Sequence, residues 1–487
     1  ITNAVTIDGT TQSGFAGAPL IEINGAGAGA GANGFAVNAP NVIIRGFIIN
    51  RFSAYAITFD SFGNDTVQSC YIGTNAAGTA ASANLAGGIR INSPNITIGG
   101  ITSGAGNVIS GNKGNGIDIF VGNATIHGNF IGINSAGTTK VSNASGVVIR
   151  GAANNIIGGT TIGARNLISG NAEAGVRILD AGATNNFVQG NFIGTDATGT
   201  VKYACGAIGC ANLIGNSNGI EVLTGAQSTT IGGTATGARN VITGNLGSGV
   251  SVSGGIVTSI VGNFIGLDAD GISTHGNHVN GVRISAGSVT VGGTEPGTRN
   301  VISGNGVILP DRPRPEQFAI GSGILISGGS GSQILGNFIG TNADGTAAVA
   351  VYGDEGQTGV SIIGSASNII GGTTAAARNI ISGNDSGVLI SGANATNNVV
   401  QGNFIGTDVN GVGAVGNDSN GVEISGGASN NNIGGLVTGA GNTIAFNGCT
   451  DRYCTPAGVF AQSGTGNAIL GNSIFSNNGL GIDLDPL

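Results

Sequence analysis

The sequence predicts an all-β solenoid, a parallel β-helix of three short strands per coil, and three observations lead there. Glycine supplies 96 of the 487 residues while charged residues make up only 8%, far below the roughly 25% of an average soluble domain. Hydrophobic residues still reach 40%, spread through the chain in Ile/Val-rich tetrads. Such tetrads bury enough surface to offset chain ordering, which a disordered low-complexity chain does not. The third observation is internal repetition, and a fixed period decides the architecture before local propensity does.

A tetrad Gly-(Val/Ile)-x-(Ile/Val) recurs, as at Gly88-Ile-Arg-Ile91, Gly116-Ile-Asp-Ile119, Gly146-Val-Val-Ile149, Gly175-Val-Arg-Ile178 and Gly249-Val-Ser-Val252. Two patterns alternate between the tetrads. One is GNFIG, beginning at Gly128, Gly190, Gly262, Gly336 and Gly402; the other is an IGG step followed by Arg-Asn-x-Ile-(Ser/Thr)-Gly-Asn, as from Arg239 to Asn245. Each block alternates apolar and polar residues over short segments that end on Gly or Asn. Period-two alternation makes strands with one buried face, and Gly or Asn supplies the corner turns. No helical periodicity offers crossover helices, which excludes doubly wound and α/β-barrel folds. Such short strands close no core alone; stacked coil on coil, they build internal Ile/Val columns. One continuous body over residues 1–487 is expected, of roughly 14 coils rising about 4.8 Å each.

In GNFIG blocks the slack follows the third strand, as in Thr195-Asp-Ala-Thr-Gly-Thr200, whereas in the other blocks it precedes it, as from Thr234 to Arg239. Loops should therefore leave the solenoid alternately at two corners. Residues 201–216, 306–321 and 447–456 break the pattern and should project. Pro310-Asp-Arg-Pro-Arg-Pro-Glu316 lies in the second of these, and proline does not serve a central strand.

Together, NxxIGGT, ARNxISGN, GNFIGTDxxGT and GVxI run from Val5-Thr-Ile-Asp-Gly9 to Leu480-Gly-Ile-Asp-Leu484. The combination resembles the right-handed parallel β-helix repeat proteins of bacterial secreted and cell-surface type, within the pectin-lyase-like superfold. The resemblance implies a right-handed helix and an extracellular or cell-surface setting. It leaves function open, because that superfold hosts polysaccharide lyases and hydrolases alongside adhesins and structural fibres.

Composition narrows the field. A formal charge of −8 and 16 scattered basic residues disfavour nucleic acid, and no run approaches the roughly 18 apolar residues of a membrane span. The chain holds no methionine and opens on Ile1, so a mature or trimmed chain that has lost a leader is expected. It begins and ends at strands, whose open edges invite end-to-end pairing with another copy; truncation of a longer protein explains the same ends.

Candidate sites are few. Cys205/Cys210 and Cys449/Cys454 are each spaced C-x4-C within the insertions. They read as local disulfides of a secreted protein, since a tetrahedral zinc needs four ligands; Cys70 is then unpaired. The outward position of the GVxI strands reads Arg90, Asp118, Val148, Arg177, Glu221, Ser251, Arg283, Leu325, Ser361, Leu389 and Glu423. No two carboxylates fall on neighbouring coils there, so Arg90 with Asp118 and Arg177 with Glu221 read as surface ion pairs. Arg165, Arg239, Arg299 and Arg378 recur at one repeat position. They read either as a basic ladder for an anionic polysaccharide or as guanidinium caps on loop carbonyls within their own repeat, and a residue repeated this regularly favours the cap.

Loops after GNFIG, such as Asp268-Ala-Asp270-Gly271, Asn342-Ala-Asp344-Gly345 and Asp408-Val-Asn410-Gly411, begin like calcium loops. They lack the distal bidentate glutamate, so Asx-turns are the default and Ca²⁺ the alternative. Asp268 and Asp270 with His275 and His278 form the densest candidate set for a transition metal, against an ordinary polar loop. No cofactor is required by these patterns. The expected function is a non-enzymatic extracellular structural or surface repeat protein, adhesive or assembling end to end, with surface polysaccharide as a partner. The alternative is a polysaccharide-active lyase or glycoside hydrolase, to be recognised by two or more carboxylates grouped beside a lysine or arginine.

Overall fold

The structure, a computed structural model, describes residues 1–200, 213–307, 321–349, 357–448 and 456–484, and the backbone of Ala204–Gly206 and Gly209–Ala211. The side chains of Cys205, Cys210, Cys449 and Cys454 lie outside the described residues, as does most of each predicted insertion. By internal contacts the chain forms two compact units, one ending at Leu246 and the other running from Gly247 to Leu487. Each is right-handed parallel β-helix.

In the first unit the GVxI segments stack as Tyr55–Phe59, Gly87–Ile91, Asn115–Ile119, Val147–Arg150, Ala174–Leu179 and Asn218–Val222, all parallel and in register. Their inward residues form two columns, Ile57-Ile89-Ile117-Val147-Val176-Ile220 and Phe59-Ile91-Ile119-Ile149-Ile178-Val222, every member 0% exposed. Burial of one such side chain stabilises by roughly 1.5–3 kcal/mol. Three-residue strands such as Thr97–Gly99 and Thr125–His127 make a second stack, and two-residue strands such as Val108–Ile109 and Phe130–Ile131 a third. The second unit repeats the plan, with Ser386–Ser391, Val399–Gln401 and Phe404–Ile405 as one coil's three strands.

The tetrad glycine is fixed by close approach. A Cβ on Gly88, Gly116 or Gly175 would stand 2.4–2.7 Å from the carbonyl oxygen of the next coil's glycine, so any side chain there would push the coils apart.

Asparagine ladders hold the corners. Asn107, Asn129, Asn166, Asn191 and Asn240 form one, the Oδ1 of each after the first accepting the backbone N–H and side-chain N–H of the asparagine one coil earlier. The remaining amide proton goes to a carbonyl further back, as from Asn166 to Ile126 O at 2.8 Å. Asn112, Asn143, Asn171, Asn216 and Asn245 form a second ladder. In the second unit Asn300, Asn337, Asn379, Asn403 and Asn442 do the same. These buried amides are satisfied on all sides, as buried polar groups must be.

Loops emerge where the two block types predict. After GNFIG the chain makes a tight hairpin closed by an antiparallel bridge, as Ile133↔Lys140 and Thr407↔Ala414. These hairpins cover the outward column of the third stack, so Phe264, Val301, Phe338 and Ile380 are buried with Leu267 and Val349 in an external cluster. Among the described residues no helix is long and apolar enough to cross a membrane.

Candidate functional site

The outward column of the first unit's GVxI strands has the predicted register, Arg90 beside Asp118, then Val148, Arg177 and Glu221. Its chemistry differs at one end. Arg177 forms its predicted pair, with Nε 2.6 Å from Glu221 Oε2, and adds a second through Nη1 to Glu173 Oε2 at 2.8 Å. Arg90 and Asp118 make no such pair. Asp118 is 3% exposed and is bound instead by the Tyr55 hydroxyl at 3.2 Å and by Asn115 Nδ2 at 2.8 Å. The expected surface ion pair is thus corrected to a buried carboxyl under a phenol.

Local sequence explains the cover. Tyr55, Gly87 and Asn115 occupy one register position on three successive coils. A Cβ on Gly87 would lie 2.8 Å from the Tyr55 ring, so this glycine lets the phenol cross the middle coil to Asp118. Burial pushes the Asp118 carboxyl above the usual carboxylate range, against the Asn115 and Tyr55 hydrogen bonds and the charges of Arg150 and Arg90. Burial, followed by the Asp118 charge, pushes the Tyr55 phenol up to about 12.

Two guanidiniums flank this pair. Arg90 lies 5.3 Å from the centroid of the Phe120 ring, and its Nε is buried without a hydrogen-bond partner. Arg150 acts on Asp118, Tyr55 and Glu173 through its charge. Among the described residues neither arginine has an ion-paired carboxylate. The polar seam continues through Ser145, whose backbone N–H donates to Asn115 Oδ1 at 3.1 Å and whose hydroxyl donates to Glu173 Oε2 at 3.0 Å. The Ser145 hydroxyl and Arg177 hold the Glu173 carboxyl below its usual value against partial burial. Glu173 and Glu221 therefore flank one arginine, a grouping the single column of GVxI positions did not reveal. In the second unit the equivalent column carries Glu423; burial, followed by the charges of Asp418 and Glu423, pushes the Asp385 carboxyl up.

The candidate metal ligands are only partly brought together. Asp268 Oδ2 lies 3.0 Å from His275 Nδ1. Asp270 accepts the Ile272 and Ser273 N–H groups at 2.9 and 2.8 Å and the Ser273 hydroxyl at 2.6 Å, while His278 Nδ1 meets the Val307 carbonyl. Among the described residues no group of three or more His, Cys, Asp or Glu side chains is placed to hold a metal.

The calcium-like loops use their Asx oxygens internally. Asp408 Oδ1 accepts N–H groups of Asn410, Val412 and Gly413 at 2.9–3.1 Å, and Asn342 Oδ1 those of Thr346 and Ala347. The recurring arginines cap carbonyls, but in the next coil rather than in their own: the acceptor is the following GNFIG glycine, with Arg165 Nε donating to Gly190 O at 3.3 Å, Arg299 to Gly336 O at 3.1 Å and Arg378 to Gly402 O at 3.2 Å. Cys70 is free and buried.

No family model and no curated protein sequence matches the chain. Among solved structures it is similar to PfbA, a surface adhesin of Streptococcus pneumoniae, at 12% identity over 91% of this chain and 84% of that one, with a TM-score of 0.25. It is also similar to the A-module of the Azotobacter vinelandii mannuronan C-5 epimerase AlgE6, at 12% identity over 95% of this chain and 93% of that one, with a TM-score of 0.21.

Proposed function

We propose that the chain is an extracellular surface repeat protein whose first unit holds an acidic polysaccharide without turning it over. One observation carries this reading: Arg90 and Arg150 flank the Asp118–Tyr55 pair with no ion-paired carboxylate among the described residues. A uronate carboxylate supplies the missing partner in the planar, bidentate geometry that guanidinium favours. Phe120, 37% exposed below Arg90, offers a ring for a sugar face. The strand stack gives an extended polymer a regular bed.

A second reading, processing of the same polymer, is favoured by the Asp118–Tyr55 contact. A carboxyl raised by burial and shared with a phenol is acid–base equipment. Glu173 and Glu221 beside Arg177 also meet the grouping of carboxylates expected of such an enzyme; against this reading, the Glu173 carboxyl is held low rather than raised, whereas a general acid needs a raised one.

Calorimetry with oligouronates and a neutral oligosaccharide control tests the proposal. Saturable binding of the acidic oligomer alone, weakened about tenfold in Arg90→Ala and in Arg150→Ala, is expected. Unchanged affinity in both variants overturns it. NMR of the recovered polymer separates the two readings: an unaltered polymer supports holding, and new unsaturated, shortened or epimerised units support processing.

A further inference from the structure

The repeat contains its own cation-binding device, and one copy is open. In the first unit the Arg165 guanidinium sits 4.0 Å from the centroid of the Phe192 ring, and in the second unit Arg299 and Arg378 sit 4.1 Å from those of Phe338 and Phe404. Each Nε also donates to the glycine carbonyl two residues before its ring, Gly190, Gly336 or Gly402. Register fixes the pairing, because Leu167 stands beside Phe192, Val301 beside Phe338 and Ile380 beside Phe404.

The same register puts Val108 beside Phe130. Here Gly106-Asn107-Val108-Ile109 replaces Arg165-Asn166-Leu167-Ile168, so the ring remains and its arginine is gone. Gly128, the counterpart of Gly190, accepts no hydrogen bond from the described residues. A cavity of about 510 Å³ lies at this place, lined among others by Gly106, Gly128, Phe130, Tyr71, Ile101 and Ile162.

We propose that this cavity is a socket for a guanidinium cation supplied from outside the chain. Its occupant is the group that fills the equivalent place in other coils: a planar cation on an aromatic face. The chain cannot fill the socket from its own position 106, because a Cβ there would stand 1.8 Å from Gly128 O. Tyr71, on the other side of Val108, adds a second ring. Ile101 and Ile162, 57% and 83% exposed, give the rim an apolar surface for an aliphatic stem. Arg165 also lines the cavity without barring a cation. Leu167 and Val241, the residues two after Arg165 and Arg239, lie two coils apart across Phe192, and Val108 and Leu167 are separated in the same way across Phe130. No carboxylate is among the described lining residues, so recognition rests on stacking and favours guanidinium over ammonium.

Titration of the full chain with N-acetyl-arginine amide, N-acetyl-lysine amide and a short arginine-containing peptide tests the socket. Phe130→Leu removes the ring and keeps a residue that the same column already holds at Leu167, so the variant retains the fold, with its circular dichroism spectrum as the check. The arginine amide is expected to bind at least about tenfold tighter than the lysine amide and to lose about tenfold in Phe130→Leu. Tighter capture of the peptide than of the amide assigns the guest to a polypeptide; equal capture assigns it to a free cation. Equal binding of the two amides, affinity unchanged in Phe130→Leu, or no saturation by about 20 mM overturns the proposal.

Discussion

The Tyr55 hydroxyl reaches across 63 residues of sequence to stand 3.2 Å from Asp118 Oδ2, over a coil whose glycine leaves room for the ring. The Asp118 carboxyl is raised, chiefly by burial. An acid raised in the folded state binds its proton more tightly there than in the unfolded chain. Stability is therefore expected to fall as pH climbs from the unfolded value through the folded one, with the whole penalty present above it. Melting temperatures between about pH 4 and pH 7 should fall less steeply in Asp118→Asn than in the parent. Identical slopes would contradict the assigned burial.

Little of this site was legible in sequence, although the column carrying it was. Reading one outward residue per tetrad gave the register of Arg90, Asp118, Arg177 and Glu221 correctly. It compared only neighbouring coils, so it missed a side chain arriving from two coils away, and it omitted Glu173, which lies just before its strand. The available signal was Gly87, where the flanking coils carry Tyr55 and Asn115. The fold was far more legible, because its Gly, Asn and Ile/Val rules repeat in every block. The arginine caps were half legible: their regularity marked them as structural, but the phenylalanine beneath each guanidinium lies in the following block.

The asparagine ladder should be costly to interrupt. Asn166 accepts from Asn129 and donates to Asn191 Oδ1 and Ile126 O. Asn166→Ala strands those groups in the interior and should cost about 3 kcal/mol or more. Asn3→Ala, at an exposed position, should cost less than about 0.5 kcal/mol. Chemical denaturation of both variants checks the contrast.

Arginine and phenylalanine should be coupled energetically. Arg299 both stacks on Phe338 and caps Gly336. A double-mutant cycle of Arg299→Lys and Phe338→Leu is expected to give a coupling of about 1 kcal/mol. Additive losses would show that the stacked geometry contributes nothing.

Cys70 should be chemically silent in the folded protein. Burial pushes its thiol up to about 12, so little thiolate forms at neutral pH. Iodoacetamide followed by peptide mass analysis should leave Cys70 unmodified in native protein and label it after denaturation. Rapid native labelling would contradict its buried placement.

The Asx hairpins should not depend on calcium. With three backbone N–H groups on Asp408 Oδ1, Asp408→Ala should cost about 1 kcal/mol, whereas chelator or millimolar calcium should leave the melting temperature unchanged. A calcium-dependent rise would identify a metal loop.

The proposed recognition site lies at the two guanidiniums beside Tyr55 and Asp118. A crystal structure with an acidic hexasaccharide decides whether they hold a uronate. A uronate carboxylate bound between Arg90 and Arg150, with the chain running along the first unit's GVxI strands, is the predicted result. Saturating ligand that leaves both guanidiniums empty, or binds only along the recurring arginines Arg165, Arg299 and Arg378, would contradict it.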